Sequence, residues 1–240
     1  MMAAMLRSLA GLFALLAAAL GTTAAVAADR RYAVQDFDRI VVEGPFLVRL
    51  VTGRSTSAIA QGSQQSLDGV IVDVQGTTLR VRRNQTAWTG TPTRAVAPAT
   101  IALVARTLRS ARVVGSGQLE ISGLAGQRID LVVQGSGRLS ATGIEADNLS
   151  VGLSGSGSMD LAGTAETFTA DLQGSGSLLA PDLSIETGTL SVVTTGNVAL
   201  HARREITINA NGLGEIAIAG RPACTVRGPG ANEVRCGADR

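Results

Sequence analysis

The tripeptide Gly-Ser-Gly occurs four times in this chain, at intervals of 20, 20 and 19 residues. Weaker forms of the same turn follow at 194–196, 212–214 and 228–230. A fixed period of this length is typical of solenoids, in which each repeat buries its apolar side only against the repeats above and below it. The glycines of the four turns are Gly115, Gly117, Gly135, Gly137, Gly155, Gly157, Gly174 and Gly176.

Apolar and polar residues alternate on both sides of each turn. Around the second turn, the apolar positions are Ile129, Leu131, Val133, Leu139 and Ala141. A period of two predicts strands with one buried face. A repeat of about 20 residues holds two or three short strands but no second layer, so we predict an all-β parallel β-helix (solenoid). Glycine fits its corners, because a positive φ or close stacking excludes a Cβ. An antiparallel sandwich or barrel is the alternative, although its turns usually come every 8 to 12 residues.

The period is looser upstream of the first Gly-Ser-Gly turn. Six apolar segments there are predicted as strands of further coils, at 40–42, 46–50, 57–60, 70–74, 79–81 and 101–104. We therefore predict a single β-helix domain over 28–240, with irregular N-terminal coils to about residue 110, regular coils over 111–222 and a closing segment over 223–240. At a strand spacing of ~4.8 Å, roughly ten coils would make a rod about 50 Å long.

The first 27 residues have the features of a targeting segment. One early cation, Arg7, is followed by an apolar run over 9–20 and by the small residues Ala25-Val26-Ala27. This order is typical of a secretory signal peptide that is cleaved after Ala27. The run is shorter than the ~20 residues that span a bilayer, and no later stretch is apolar enough to do so. We therefore expect an exported protein, located in the periplasm, at the cell surface or outside the cell.

The chain contains two cysteines, Cys224 and Cys236, and both follow the targeting segment. An even number of cysteines in an oxidising compartment favours a disulfide. The two residues flank the turn at 228–230, and both fall on the inward-facing parity of their strands. We predict that they form a disulfide that restrains the end of the last coil.

Motifs for catalysis and cofactor binding are missing. The glycine turns are followed by neither a lysine nor a helix, so they do not match a phosphate-binding loop, and their period is not that of calcium-binding β-rolls. The single histidine, His201, has no partner at metal-ligand spacing. Glu120 and Asp160 occupy the same outward position two coils apart, which is the carboxylate pattern of some glycosidases, but Ser140 lies between them. We predict no catalytic residue, no metal and no cofactor.

Charge is segregated along the chain, in which all 21 basic residues are arginine. Residues 74–119 hold seven arginines and no acid, a net charge of +7, whereas 120–186 hold nine acids and two arginines, a net charge of −7. The segment 84–99 holds the only tryptophan. Guanidinium suits phosphate, sulfate or uronate because it donates a planar fork of hydrogen bonds. We predict that an anionic partner binds at Arg80, Arg82, Arg83 and Arg94, with Trp88 stacking on the ligand.

Three function classes remain open. The first is a binding or adhesive module for an anionic envelope polysaccharide, a lipid headgroup or a surface protein. The second is a structural envelope rod that self-associates when the basic part of one copy meets the acidic part of another. The third is a carbohydrate-active enzyme. The composition excludes a disordered tail or a coiled coil, and we expect no nucleic-acid partner.

The sequence also resembles a known family. The segments FDRIVVEGPFLVRLVTG and TTLRV, the repeated Gly-Ser-Gly turns and the late GEIAIAGRP are similar to the auto-transporter adhesin, head GIN domain family of exported bacterial proteins, over about residues 36–222. The resemblance implies a right-handed, single-stranded β-helix, an envelope or surface location and an adhesin function. The fifth and sixth corners, at 194–196 and 212–214, depart from the Gly-Ser-Gly pattern.

Overall fold

A computed structural model of the chain describes residues 28–86 and 97–238. The predicted signal peptide lies outside the described residues. The strands are β1 (Ala28–Tyr32), β2 (Arg39–Glu43), β3 (Leu47–Thr52), β4 (Ser57–Gly62), β5 (Val70–Gln75), β6 (Thr78–Arg83), β7 (Thr100–Ala105), β8 (Ser110–Gly115), β9 (Gln118–Gly135), β10 (Arg138–Gly155), β11 (Ser158–Gly174), β12 (Ser177–Thr194), β13 (Val198–Ala210), β14 (Ile216–Gly220), β15 (Ala223–Arg227) and β16 (Val234–Ala238). One short helix, α1 (Gln64–Asp68), follows β4, and a 3₁₀ turn (Ala231–Glu233) precedes β16. No helix in these ranges is long and apolar enough to cross a membrane.

The long strands from β9 to β12 each wrap one whole coil of a parallel solenoid. Each pairs in parallel with the next, so residues about 20 positions apart lie side by side. The predicted parallel solenoid with coils of about 20 residues is confirmed. One apolar core runs through it, and like residues stack along the interior, for example Leu119, Leu139, Met159 and Leu178.

The Gly-Ser-Gly corners stack directly on one another. The Ser156 N–H donates to the Gly135 carbonyl oxygen of the preceding coil, at 2.9 Å. A Cβ on Gly157 would lie 2.5 Å from the Gly137 carbonyl oxygen, and Gly155 has a φ of +112°. Both reasons for predicting glycine at the corners, close stacking and a positive φ, are therefore confirmed.

The N-terminal coils do not follow the order of the chain. β2 pairs in parallel with both β6 and β8, and β3 pairs in parallel with both β7 and β9. The coil formed by β2 and β3 therefore lies between the coil formed by β6 and β7 and the regular coils that begin at β8. After β3 the chain passes to the outer side of this coil, where residues 53–109 form β4, α1, β5 and the outermost coil of β6 and β7, and it returns at β8.

The strands β4 and β5 belong to a cap, and the prediction that they form further coils is wrong. β4 pairs antiparallel with β1 and β7, and β5 pairs antiparallel with β6 across the turn Gly76-Thr77. The physical reason is that the outermost coil leaves an apolar edge open, which antiparallel strands and the buried Leu67 of α1 cover. In the same cap Asp68 accepts a 2.6 Å hydrogen bond from Arg30, which raises the pKa of Arg30. The solenoid has about six turns, whereas the sequence predicts roughly ten coils. At ~4.8 Å per coil the solenoid is therefore shorter than predicted.

The last coil is closed by a disulfide between Cys224 and Cys236, as the sequence predicts. In register, Cys224 lies over Ile206 and Cys236 over Ile218, so both cysteines continue inward-facing columns of the core. The Cα atoms of the two cysteines are 6.6 Å apart. The bridge therefore ties β15 to β16 across the end of the core.

Removal of this disulfide should loosen the last coil before the rest of the solenoid. A bridge with a sequence separation of 12 stabilises by up to about 3 kcal/mol in the chain-entropy model. In a Cys224→Ser, Cys236→Ser double variant, we expect faster amide hydrogen exchange over 216–238 and unchanged exchange over 118–174. The wild-type protein under reducing conditions should behave in the same way. Equal protection of the last coil in the oxidised and double-variant proteins would contradict this prediction.

Candidate functional site

The predicted arginines lie on and beside β6. Arg80 and Arg82 point outward, because they alternate with Leu79 and Val81, which are fully buried. Arg83 ends the strand and is exposed. Trp88 and Arg94, which the sequence also assigned to the site, lie outside the described residues.

Carboxylates from an earlier part of the chain pair with these arginines. Arg80 Nη1 lies 3.7 Å from Glu43 Oε1, and Arg82 Nε donates to Asp73 Oδ1 at 3.3 Å. Further along the basic segment 74–119, Arg106 pairs with Asp36 and Arg109 pairs with Asp38. Nearby carboxylates therefore neutralise part of the net charge of +7 that the sequence gives for 74–119. Exposed pairs of this kind contribute little to stability, but they orient the guanidinium groups.

Parallel pairing brings two further arginines to the same face. Val41 on β2 lies between Arg80 on β6 and Arg112 on β8. Arg39, two residues before Val41, points to the same side of the sheet. Arg39 and Arg112 cannot be assigned to this face from the sequence alone, because their proximity depends on β2 lying between β6 and β8. Together, Arg39, Arg80, Arg82 and Arg112 form what we call the basic face.

A groove of about 620 Å³ lies at the edge of the basic face, within the usual range for small-ligand sites. The lining residues are Glu43, Ile71, Arg82, Arg83, Asn84, Gln85 and Thr86. We call it the basic groove. Within the described part of the chain, Arg83 makes no ion pair, whereas Arg82 is held by Asp73. The groove therefore contains one guanidinium fixed by a carboxylate and one available to a ligand.

Asn84 holds the wall of the basic groove in place. Its backbone N–H donates to the Gly69 carbonyl oxygen at 2.9 Å, and its Nδ2 donates to the Asp68 carbonyl oxygen at 3.0 Å. Its Oδ1 accepts hydrogen bonds from the Thr86 N–H and from Thr86 Oγ1, at 3.2 and 2.7 Å. Because these contacts anchor 84–86 to the cap, Gln85 is presented from a fixed loop.

The other residues considered from the sequence lie on the regular coils. Glu120 and Asp160 do share an outward column with Ser140 between them. Arg49 donates to Glu120 at 2.9 Å, and Asp160 lies 4.0 Å from Arg138. His201 is half-buried on β13, and the described ranges contain no group of three side chains that would hold a metal ion.

Two other grooves lie along the solenoid. One, of about 570 Å³, has four carboxylates in its lining, namely Glu145, Asp147, Glu166 and Glu186, of which Glu186 pairs with Arg203 at 3.1 Å. The other, of about 320 Å³, is lined mostly by corner serines such as Ser136, Ser156 and Ser175. Of the three grooves, only the basic groove contains two arginines.

The described residues form a capped parallel β-solenoid with polar grooves along its surface. Residues 36–222 match the family described as "putative auto-transporter adhesin, head GIN domain", and the chain belongs to this family. The resemblance found in the sequence is thereby confirmed. The family and the disulfide indicate an exported protein.

Solved structures show the same fold. An adhesin described as putative from Bacteroides fragilis is 20% identical, with a TM-score of 0.76, and the match covers 85% of this chain and 95% of that one. A "putative lipid binding protein" from Parabacteroides distasonis is 21% identical, with a TM-score of 0.67 and coverage of 85% and 94%. An adhesin described as putative from Parabacteroides merdae is 16% identical, with a TM-score of 0.63 and coverage of 84% and 92%. No curated protein matches the sequence.

Proposed function

We propose that this protein is a non-catalytic, adhesin-like binding module of the bacterial cell envelope that holds an anionic partner at the basic groove. The observation that carries the proposal is the pair Arg82 and Arg83 at one groove, in which Arg83 makes no ion pair within the described residues. The family supports a binding role, and the related structures are described as those of adhesins and of a lipid-binding protein. Export to the periplasm or the cell surface is part of the proposal.

The arginines suit this role because a guanidinium group donates up to five hydrogen bonds in a fixed plane. The contact of Arg82 with Asp73 uses Nε, which leaves its terminal nitrogens for a ligand. Arg80 does not line the groove, and its Nη1 lies 3.7 Å from Glu43 Oε1. An anion in the groove would therefore meet several donors that are already oriented, which lowers the entropy lost on binding.

A triple substitution tests the proposal. The full chain, exported and purified from the periplasm of a host, is titrated with polygalacturonate, a sulfated polysaccharide and vesicles of phosphatidylglycerol. We expect wild-type protein to bind at least one of these, more weakly as ionic strength rises past about 0.1 M, where the Debye length is about 10 Å. The variant Arg80→Gln, Arg82→Gln, Arg83→Gln should lose at least about tenfold in affinity, since several charge-assisted hydrogen bonds are lost.

The matched control removes the same charge from the other end of the solenoid. Arg203→Gln, Arg204→Gln, Arg227→Gln should bind as the wild type does, because these arginines lie on β13 and β15. Equal losses in both triple variants would indicate a nonspecific charge effect and contradict the proposed site. If no anionic probe binds, and only the first triple variant changes the solution mass at low salt, self-association through opposite charges replaces the proposal.

A further inference from the structure

We infer that the ligand of the basic groove is a saccharide that carries a carboxylate, such as a uronic acid unit of an acidic polysaccharide. The inference rests on the proposed function, because it names the class of ligand for the same groove. Three features of the groove carry it: its small net charge, the carboxylate in its wall and its apolar side chain.

The charge of the groove suits a ligand with few charges. Two arginines and one glutamate line it, so the charged side chains sum to +1. Adding Arg80 and Asp73, which pair with lining residues, leaves the sum at +1. Recognition of an anionic membrane generally uses clusters of 4–8 basic residues. A densely sulfated polymer would likewise meet the repulsion of Glu43. One carboxylate per sugar unit matches the one guanidinium of the groove that makes no ion pair within the described residues, that of Arg83.

Glu43 supplies a hydrogen-bond acceptor for hydroxyl groups. An anion without hydroxyl groups has no need of such an acceptor. Its Oε1 lies 3.7 Å from Arg80 Nη1, which is beyond hydrogen-bond distance. The carboxylate therefore keeps acceptor capacity on both oxygens. Saccharide hydroxyl groups donate to such carboxylates, while the amide of Gln85 offers both a donor and acceptors on the anchored loop. A sulfate ion has no O–H group and would use none of these acceptors.

Ile71 gives the groove an apolar surface beside its arginines. It lies directly opposite Arg82 on the neighbouring strand and is half-buried. Pyranose rings present C–H groups on one side and hydroxyl groups at their edge, so they fit a groove with one apolar side chain and several polar ones. The arrangement favours a sugar ring that lies against Ile71 with its carboxylate directed to Arg83.

Substitution of Glu43 gives effects of opposite sign for the two kinds of ligand. The exported full chain is titrated calorimetrically with tri-galacturonate, neutral maltotriose, inorganic phosphate and phosphatidylglycerol vesicles. We expect wild-type protein to bind tri-galacturonate and not maltotriose. Glu43→Ala should weaken tri-galacturonate binding about fivefold or more, because a hydrogen-bond acceptor is lost. For a simple anion the same change removes repulsion and strengthens binding.

Glu215→Ala is the matched control. It also removes a half-exposed carboxylate that pairs with an arginine, at 2.9 Å from Arg235, but at the last coil. It should leave tri-galacturonate binding unchanged, and circular dichroism should show that both variants keep the strand signal. Glu43→Gln serves as a second variant, because it keeps the size and an acceptor oxygen and should weaken binding less than Glu43→Ala.

The outcomes separate the two proposals. Binding of phosphate or of vesicles that strengthens in Glu43→Ala would overturn the saccharide ligand and leave the anionic site standing. Binding of tri-galacturonate that Glu43→Ala leaves unchanged or strengthens would also overturn it. If no anionic probe binds the wild-type protein, both the ligand class and the proposed function fail.

Discussion

Gly155→Val should lower the free energy of unfolding by about 2–6 kcal/mol, because two separate penalties add at this corner. Gly155 has a φ of +112°, which a β-branched residue strongly disfavours. A Cβ at this position would also lie 2.5 Å from the Gly135 carbonyl oxygen of the coil below. That oxygen accepts two hydrogen bonds from the corner above it, so it cannot move away without loss. Thermal unfolding followed by circular dichroism measures the effect.

Three alanine substitutions separate the two penalties. At Gly76, φ is +62° but a Cβ meets nothing within 4 Å, so Gly76→Ala tests the backbone strain alone. At Gly137, φ is not positive but a Cβ would lie 2.6 Å from the Gly117 carbonyl oxygen, so Gly137→Ala tests the steric penalty of a stacked corner alone. Gly152→Ala is the control, because its nearest contact is 3.6 Å away, and it should be neutral or slightly stabilising. Equal destabilisation by Gly152→Ala and Gly155→Val would contradict the stacking argument.

Phe168→Ala should destabilise the protein by about 3–5 kcal/mol, the usual cost of removing a fully buried aromatic side chain. Phe168 is the largest of the fully buried side chains in the described core. It pairs in register with Leu149 on one side and with Gly188 on the other, where the missing side chain leaves room for the ring. Few side chains can move to fill the space, because a solenoid coil is supported mainly by the coils on either side of it.

Leu179→Ala provides the comparison for Phe168→Ala. Leu179 is one of the exposed aliphatic residues, with 41% of its surface accessible, and it points outward from β12. Its truncation should change stability by no more than about 0.5 kcal/mol. Chemical denaturation of the two variants, with the solenoid followed by circular dichroism, gives both values. A cost for Phe168→Ala as small as that for Leu179→Ala would show that the coil relaxes into the cavity.

The regular coils were predictable from the sequence because each core residue contacts the residues one repeat before and one repeat after it. Leu139 contacts Leu119 and Met159 simply because each lies one period away, so the 20-residue spacing fixes the register. The N-terminal cap lacks this property. The partners of β2 lie about 40 and 70 residues further along the chain, and nothing in their local sequence states that β2 is placed between them. The β5–β6 hairpin, by contrast, carries a detectable signal in the short glycine turn between two alternating segments.

The same distinction decides how much of the site was predictable. The outward direction of Arg80 and Arg82 follows from alternation within one strand, and the structure confirms it. The pairing of Arg80 with Glu43 and the approach of Arg39 and Arg112 depend on the order of the coils. The net charge of segment 74–119 is therefore larger in the sequence than at the surface of the structure, because acids from 36–73 pair with its arginines.

Because residues 53–109 pack on the outer side of the coil of β2 and β3, the basic groove lies at one end of the solenoid, away from the regular coils. All residues that line the basic groove fall between Glu43 and Thr86, in the first coil and the cap. The coils from β8 onward contribute no lining residue, and each moves the far end of the solenoid about 4.8 Å further from the groove. Repeats added or lost after β8 would change the reach of the module and leave its groove intact. If the basic groove binds its ligand as proposed, the regular coils set the distance between this groove, at the capped end, and the far end of the solenoid.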